Sequence, residues 1–242
     1  MTIEVCIDSV QSAINAQQAG AARVELCDNL FEGGTTPSVG TIAVTRQQIS
    51  IGLQVIIRPR GGDFLYSELE MEIMKQDIIT AKELGADGVV IGILTAEGRV
   101  DRSRCKELVD LARPMNVTFH RAFDMTRDPL EALEDIITLG CERILTSGQQ
   151  RTVIEGKELI KQLHEKAAGR IIIMPGGGVD EFNIDQMLAC GVEECHVSLR
   201  KSVSSGMAYR NHGVFMGGEL RLPEYEVKVA DPERLKKLTG KS

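Results

Sequence analysis

Residues 116–124, Asn116-Val117-Thr118-Phe119-His120-Arg121-Ala122-Phe123-Asp124, put a short apolar strand directly before three chemically capable side chains. Just beyond, Asp128, Pro129 and Glu131 carry a helix start: an N-cap acid, a first-turn proline and a first-turn carboxylate. That helical run closes at Gly140-Cys141, and Ile144-Leu145 begins another apolar strand. The stretch therefore spells one strand–helix–strand unit. In such units ligands gather where a strand ends and a helix begins, which is where His120, Arg121 and Asp124 fall. The bland alternative is a local Arg121–Asp124 pair with His120 filling a gap.

The same punctuation recurs along the chain. A helical run ends in Gly plus a small residue at Gly20-Ala21, Gly85-Ala86, Gly140-Cys141 and Gly191-Val192, and an apolar strand follows each time. Glycine takes the left-handed conformation that stops a helix, and a short loop then enters the next strand. Eight strands are expected: Ile3–Ile7, Arg23–Leu26, Gln54–Ile57, Gly88–Ile91, Asn116–Phe119, Arg143–Leu145, Ile171–Met174 and Glu194–Val197. Between them, Ser67 with Glu70 forms a capping box. Leu69, Ile73, Ile78 and Ala81 follow it at helical spacing. Asp101 caps a helix whose apolar stripe includes Cys105.

Eight alternating units predict either a closed barrel or a doubly wound open sheet. A dinucleotide-binding open sheet wants G-x-G-x-x-G after its first strand. Here Asp8-Ser9 follows, so no nucleotide cofactor is indicated and a single (β/α)8 TIM-type barrel over 1–242 is expected. From about residue 201 the pattern is less regular, broken by Gly206, Gly213 and Gly217-Gly218. Tyr225–Ala230 is expected as an extended piece and Asp231–Leu238 as a last helix.

The 242 residues are 43% hydrophobic with no Trp, so the core must be aliphatic, and 242 residues suit one α/β barrel. A formal charge of −7 argues against a nucleic-acid partner. No apolar run approaches the roughly 20 residues of a membrane span, and no signal-peptide pattern opens the chain. Six scattered cysteines without a C-x-x-C pair fit reduced thiols, hence a cytoplasmic protein.

In a barrel the C-terminal strand ends converge on one mouth. Strands one and two each carry Glu-x-Cys, as Glu4-Val5-Cys6 and Glu25-Leu26-Cys27. Residues two apart share a face of a strand, and neighbouring strands lie about 4.8 Å apart. If the glutamates point inward, Cys6 and Cys27 can share a soft metal such as Cu(I), or else serve as small apolar fillers. Cys195 and His196 are adjacent and face opposite sides, so they make poor co-ligands. The mouth also collects groups suited to an anion: Arg58, Arg60, Arg121, Ser147, Gly176, Gly177, Gly178, Ser198 and Arg200. Barrels often build phosphate sites from the loops after strands seven and eight. The arginines also suit salt bridges to Glu4, Glu25, Asp63 and Asp124.

These motifs together resemble the copper homeostasis protein CutC family. The stretches that carry the resemblance are Glu4-Val5-Cys6, Arg23 to Cys27, Gly33 to Ser38, and Ile57 to Arg60 with Gly62-Asp63-Phe64. Thr118 to Asp124, Leu145 to Gly148 and Gly176 to Gly178 complete it. The resemblance implies a cytosolic TIM-type barrel that self-associates, as a dimer or tetramer, and binds Cu(I), with Cys6 and Cys27 as the ligands here. The alternative is a barrel enzyme acting on a small anionic or phosphorylated metabolite. It would use His120, Glu4, Glu25 and Asp124 as catalytic acid–base candidates, His120 because an ordinary histidine titrates near neutrality.

Overall fold

The computed structural model describes residues 1–214, 216 and 226–241. Eight parallel strands form its centre: β1 (Thr2–Ile7), β2 (Arg23–Leu26), β3 (Gly52–Ile56), β4 (Gly88–Ile91), β5 (Asn116–Phe119), β6 (Arg143–Thr146), β7 (Ile172–Pro175) and β8 (Glu194–Val197). They run in the order β7-β6-β5-β4-β3-β2-β1-β8, and one parallel bridge, Gly176 to His196, links the two ends into a nearly closed TIM-type barrel. Alternating with them are α1 (Val10–Gln18), α2 (Val39–Gln48), α3 (Glu68–Glu83), α4 (Arg102–Ala112), α5 (Pro129–Leu139), α6 (Lys157–Ala167) and α7 (Ile184–Leu188).

The eighth outer helix comes late. After β8 the chain forms β9 (Arg200–Ser204), which pairs antiparallel with β10 (Glu226–Ala230), before α8 (Pro232–Thr239) docks against α1. Three polar contacts to α1 and its C-cap seat this return, one of them from Asn15 Nδ2 to the Ala230 carbonyl at 3.0 Å. Ser12 Oγ accepts from the Ala230 N–H at 3.1 Å, and Thr239 Oγ1 donates to the Ala19 carbonyl at 2.5 Å. The expected extended piece and last helix are therefore β10 and α8, while Tyr225 and Gly217-Gly218 lie outside the described residues.

Local signals behave as their chemistry requires. Gly20, Gly85, Gly140 and Gly191 all have φ between 81° and 88°. Ser67 and Glu70 make the reciprocal capping box, and Asp101 and Asp128 cap α4 and α5. One stripe differs. In α3 the buried face is Met71, Met74, Ile78 and Ala81, whereas Leu69 and Ile73 are exposed. An i, i+3/i+4 pattern admits both faces at the helix start, and the unbranched methionines fill the sheet-facing gap.

The barrel interior opens on charge rather than on hydrocarbon. Arg23 is buried; its Nε donates to Glu4 at 2.5 Å, and its Nη2 reaches Glu194 and the Met174 sulfur. Glu194 also accepts from Arg143 Nε at 2.8 Å. Two carboxylates and two guanidiniums on β1, β2, β6 and β8 thus neutralise one another across the barrel floor. Losing one partner from such a cluster leaves an uncompensated buried charge, at a cost of about 3–5 kcal/mol. Arg23→Leu is therefore expected to lower the stability measured by urea unfolding by about that amount. A loss within about 0.5 kcal/mol, the scale of an ordinary surface change, would show that the cluster does not hold the floor together.

Candidate functional site

Directly above that floor lies a layer of side chains on β1, β2 and β8. The register pairs Cys6 with Glu25 across β1 and β2, and Glu4 with His196 across β1 and β8. Alternation then turns Glu4, Cys6, Glu25, Cys27 and His196 all inward. Donor atoms of Cys6, Glu25 and His196 lie within 4.8 Å of one another. Cys27 Sγ is 3.9 Å from Cys6 Sγ and 3.6 Å from Glu25 Oε2. The two thiols are thus in contact, but Cys6 stands level with Glu25, and Cys27 caps the group from the mouth side.

The electrostatics of this group are set by burial and by its partners. Burial alone would raise the Glu4 carboxyl, but hydrogen bonds and charge from His196 and Arg23 hold it down to about 2. An ionised Glu4 can only accept, so the 2.8 Å contact fixes the proton on His196 Nδ1 and leaves Nε2 turned to the cavity group, 3.6 Å from Glu25. Burial works against a charged imidazole, but Cys6, Glu4 and Glu25 raise His196 well above its ordinary value. The Cys27 thiol hydrogen bond draws Cys6 down to about 5, against burial and with help from His196. Cys27, as that donor and as a buried thiol, goes the opposite way. Glu25 is pushed up to about 8, first by burial and then by the negative charge at Cys6. At neutral pH the group is a Cys6 thiolate beside an imidazolium, with neutral Glu25 and Cys27.

The remaining expected residues are distributed around this centre. His120 closes the cavity wall, its ring tilted 48° against that of Phe64 with centroids 5.0 Å apart, and its Nδ1 accepts from the Ala122 N–H at 3.1 Å. Burial, then the charge of Arg58, push it down to about 3, so the ring is neutral near pH 7. Arg58 ties the loops after β2 and β3 together, donating to the carbonyls of Glu32, Gly34 and Gly62 at 2.7–2.8 Å. Arg60 sits outside the mouth on Glu70 and Asp63. Asp124 organises the loop after β6, accepting from Arg121 Nε, Thr146 Oγ1 and the N–H groups of Ser147 and Gln149. Ser147 also accepts from Arg121 Nη2 at 2.7 Å. Gly177, Gly178, Ser198 and Arg200 line a second part of the mouth. Gly176 lies below them, where a Cβ would come within 2.4 Å of Leu145.

The mouth holds a cavity of about 320 Å³ lined by Cys6, Glu25 and His196 on one side and His120, Arg121 and Asp124 on the other. His196 is the participant that sequence reasoning left out. The usable signal was parity: His196 shares its face with Glu194 and Ser198, and its neighbour Cys195 points away into the apolar core.

A sequence model of the CutC family matches residues 1–201. The chain belongs to the CutC family. It is 53% identical over 239 residues to a mouse protein named copper homeostasis protein cutC homolog, covering 98% of this chain and 88% of that one. A CutC family protein of Bacteroides fragilis is also 53% identical, over 96% of this chain and 94% of its own length. A CutC crystal structure from Streptococcus agalactiae superposes with a TM-score of 0.79 at 38% identity, covering 82% of this chain and 98% of that one. A barrel aldolase at 16% identity and TM-score 0.63 shares the fold alone. No helix among the described residues is long and apolar enough to cross a membrane.

The electrostatics of this CutC site are open to direct measurement. Ultraviolet thiolate absorbance is expected to show one low-lying transition with its midpoint near 5, absent in Cys6→Ser. In His196→Asn, where the neighbouring positive charge is gone, the midpoint should move upward. A wild-type protein whose thiols all titrate above the ordinary value of about 8.5 would contradict this charge arrangement.

Proposed function

We propose that this CutC family member is a cytoplasmic copper homeostasis protein that takes Cu(I) as cargo at Cys6, Cys27 and His196, with Glu25 closing the group. The observation that carries this reading is the donor set itself. Two thiol sulfurs 3.9 Å apart are closer than twice the roughly 2.3 Å metal–thiolate distance, so one ion can touch both. Thiolate and imidazole suit Cu(I), and hard oxygen-seeking cations would find only one carboxylate here. The His196–Glu4 contact supplies the carboxylate behind the imidazole that metal-binding histidines commonly have. Six free cysteines fit a reducing compartment. Self-association, as a dimer or tetramer, is part of the same proposal and is read by native mass spectrometry.

Bound metal would fix the thiolates and imidazole in place; the chain's own part is to hold and release protons. His196 and Cys27 are both raised, so at pH 7 both carry protons that a metal must displace. Affinity should therefore rise with pH, by about tenfold per unit for each proton released. Anaerobic Cu(I) titration against a chelating competitor checks both claims. The Cys6→Ser, Cys27→Ser double variant is expected to lose at least about a hundredfold in affinity, the upper range for losing even an indirect metal contact. Wild-type affinity in that variant, or affinity flat from pH 6 to 8, would sink the reading.

A second reading, a barrel enzyme acting on a small anionic metabolite, has its own support. Glu25, held neutral at about 8, can donate a proton near physiological pH, and Glu4, at about 2, cannot.

A further inference from the structure

Beside the cysteine cavity, and sharing Cys6, Gly33, Arg121 and His196 with it, lies a second cavity of about 260 Å³ under the loops after β7 and β8. Apart from the Cys6 sulfur at the edge shared with the first cavity, its polar side chains can all donate. Arg121 and Arg200 both face it, and no Asp or Glu lines it. The N–H groups of Gly178 and Val179 have no hydrogen-bond partner among the described residues. Gly177 and Gly178 have φ of 116° and 86°, a turn that sets bare backbone against the cavity. A Cβ on Gly177 would come 3.5 Å from Arg121 Cζ, so the guanidinium lies against that bare backbone. Ser198 adds an exposed hydroxyl. Arg200 is anchored from behind by Asp8 through Nη2 at 2.5 Å, and its buried Nε has no partner. Arg121 is held likewise by Asp124 and Ser147 through Nε and Nη2.

A buried guanidinium N–H without an acceptor is costly, and two arginines fixed by carboxylates behind them are pre-oriented. Unpaired backbone N–H groups in a positive-φ turn form the concavity that oxyanions occupy. We infer that this cavity binds the phosphoryl group of a small metabolite, through the Gly178 and Val179 N–H groups, Ser198, Arg121 and Arg200. The cavity is smaller than the ~300–1,000 Å³ of a whole-ligand pocket, so it accepts a head group. The rest of such a molecule would extend into the adjoining cavity, over Cys6 and His196. Such a site deepens the second reading. Because the test below measures binding by metal-free protein without turnover, its failure is separable from failure of the enzyme or copper readings.

The test is titration of metal-free, ¹⁵N-labelled protein with inorganic phosphate, with acetate at matched ionic strength as the second arm. Saturable shifts of the Gly178 and Val179 amide resonances are expected with phosphate, and at least about tenfold weaker binding with acetate, which offers fewer acceptor oxygens. Arg200→Gln should weaken phosphate about tenfold, the scale of one charge-assisted hydrogen bond. Its spectrum reports directly whether the fold survives. Ser198→Ala, at an exposed hydroxyl, is the second variant and should weaken binding by about threefold. Absence of saturable shifts in the wild type, acetate binding as tight as phosphate, or wild-type affinity in both variants would overturn the assignment.

Discussion

The Glu4 carboxylate, buried and accepting from Arg23 on one oxygen and His196 on the other, is the contact on which the interior depends. A lone carboxylate at that depth would take up a proton rather than stay charged. His196 and Arg23 together keep it ionised, and an ionised Glu4 in turn holds the proton on His196 Nδ1 and the orientation of the ring. Through His196 the constraint reaches Cys6, whose thiolate is stabilised by the imidazolium. The ion pair in the barrel floor thus acts on the layer above through His196, together with the Cys27 thiol, the larger influence on Cys6, and the burial that raises Glu25.

This arrangement divides the barrel by height. The floor, where Arg23, Glu4, Glu194 and Arg143 meet, balances two carboxylates against two guanidiniums and touches the layer above through Glu4. The layer above mixes sulfur, imidazole and carboxyl with groups held away from their ordinary proton affinities. Perturbed groups converging in a cavity are what active and binding sites look like, but ion-pair networks produce them too. The distinguishing feature here is that Cys6, Cys27, Glu25 and His196 line up donor atoms without satisfying one another fully. Their 3.6–3.9 Å separations are longer than those of a closed salt bridge.

Much of the fold could be read from the chain. The glycine stops at Gly20, Gly85, Gly140 and Gly191, each at φ near 85°, announced four of the eight barrel strands, and short apolar runs marked the other four. The inward direction of the two Glu-x-Cys pairs followed from strand alternation. What the chain could not reveal was the stagger between strands, since register in a barrel is set by tilt and packing. That stagger puts Cys6 opposite Glu25 and brings His196 to Glu4. His196 therefore joined the site unannounced, its role hidden by an adjacent core cysteine. Burial was equally illegible: His120 reads as an ordinary near-neutral titrating group, yet folding places it under Phe64 and beside Arg58, where it is neutral. Arg58 and Asp124 carry charges that suit a ligand, and folding engages them with loop carbonyls and loop N–H groups.

The central claim is that sulfur and imidazole from β1, β2 and β8 converge on one soft metal ion. X-ray absorption at the copper edge of the Cu(I)-loaded protein tests it most directly. Two sulfur scatterers together with one imidazole are expected, and the imidazole contribution should vanish in His196→Ala. A first shell of oxygen and nitrogen alone, or one unchanged by that substitution, would contradict it.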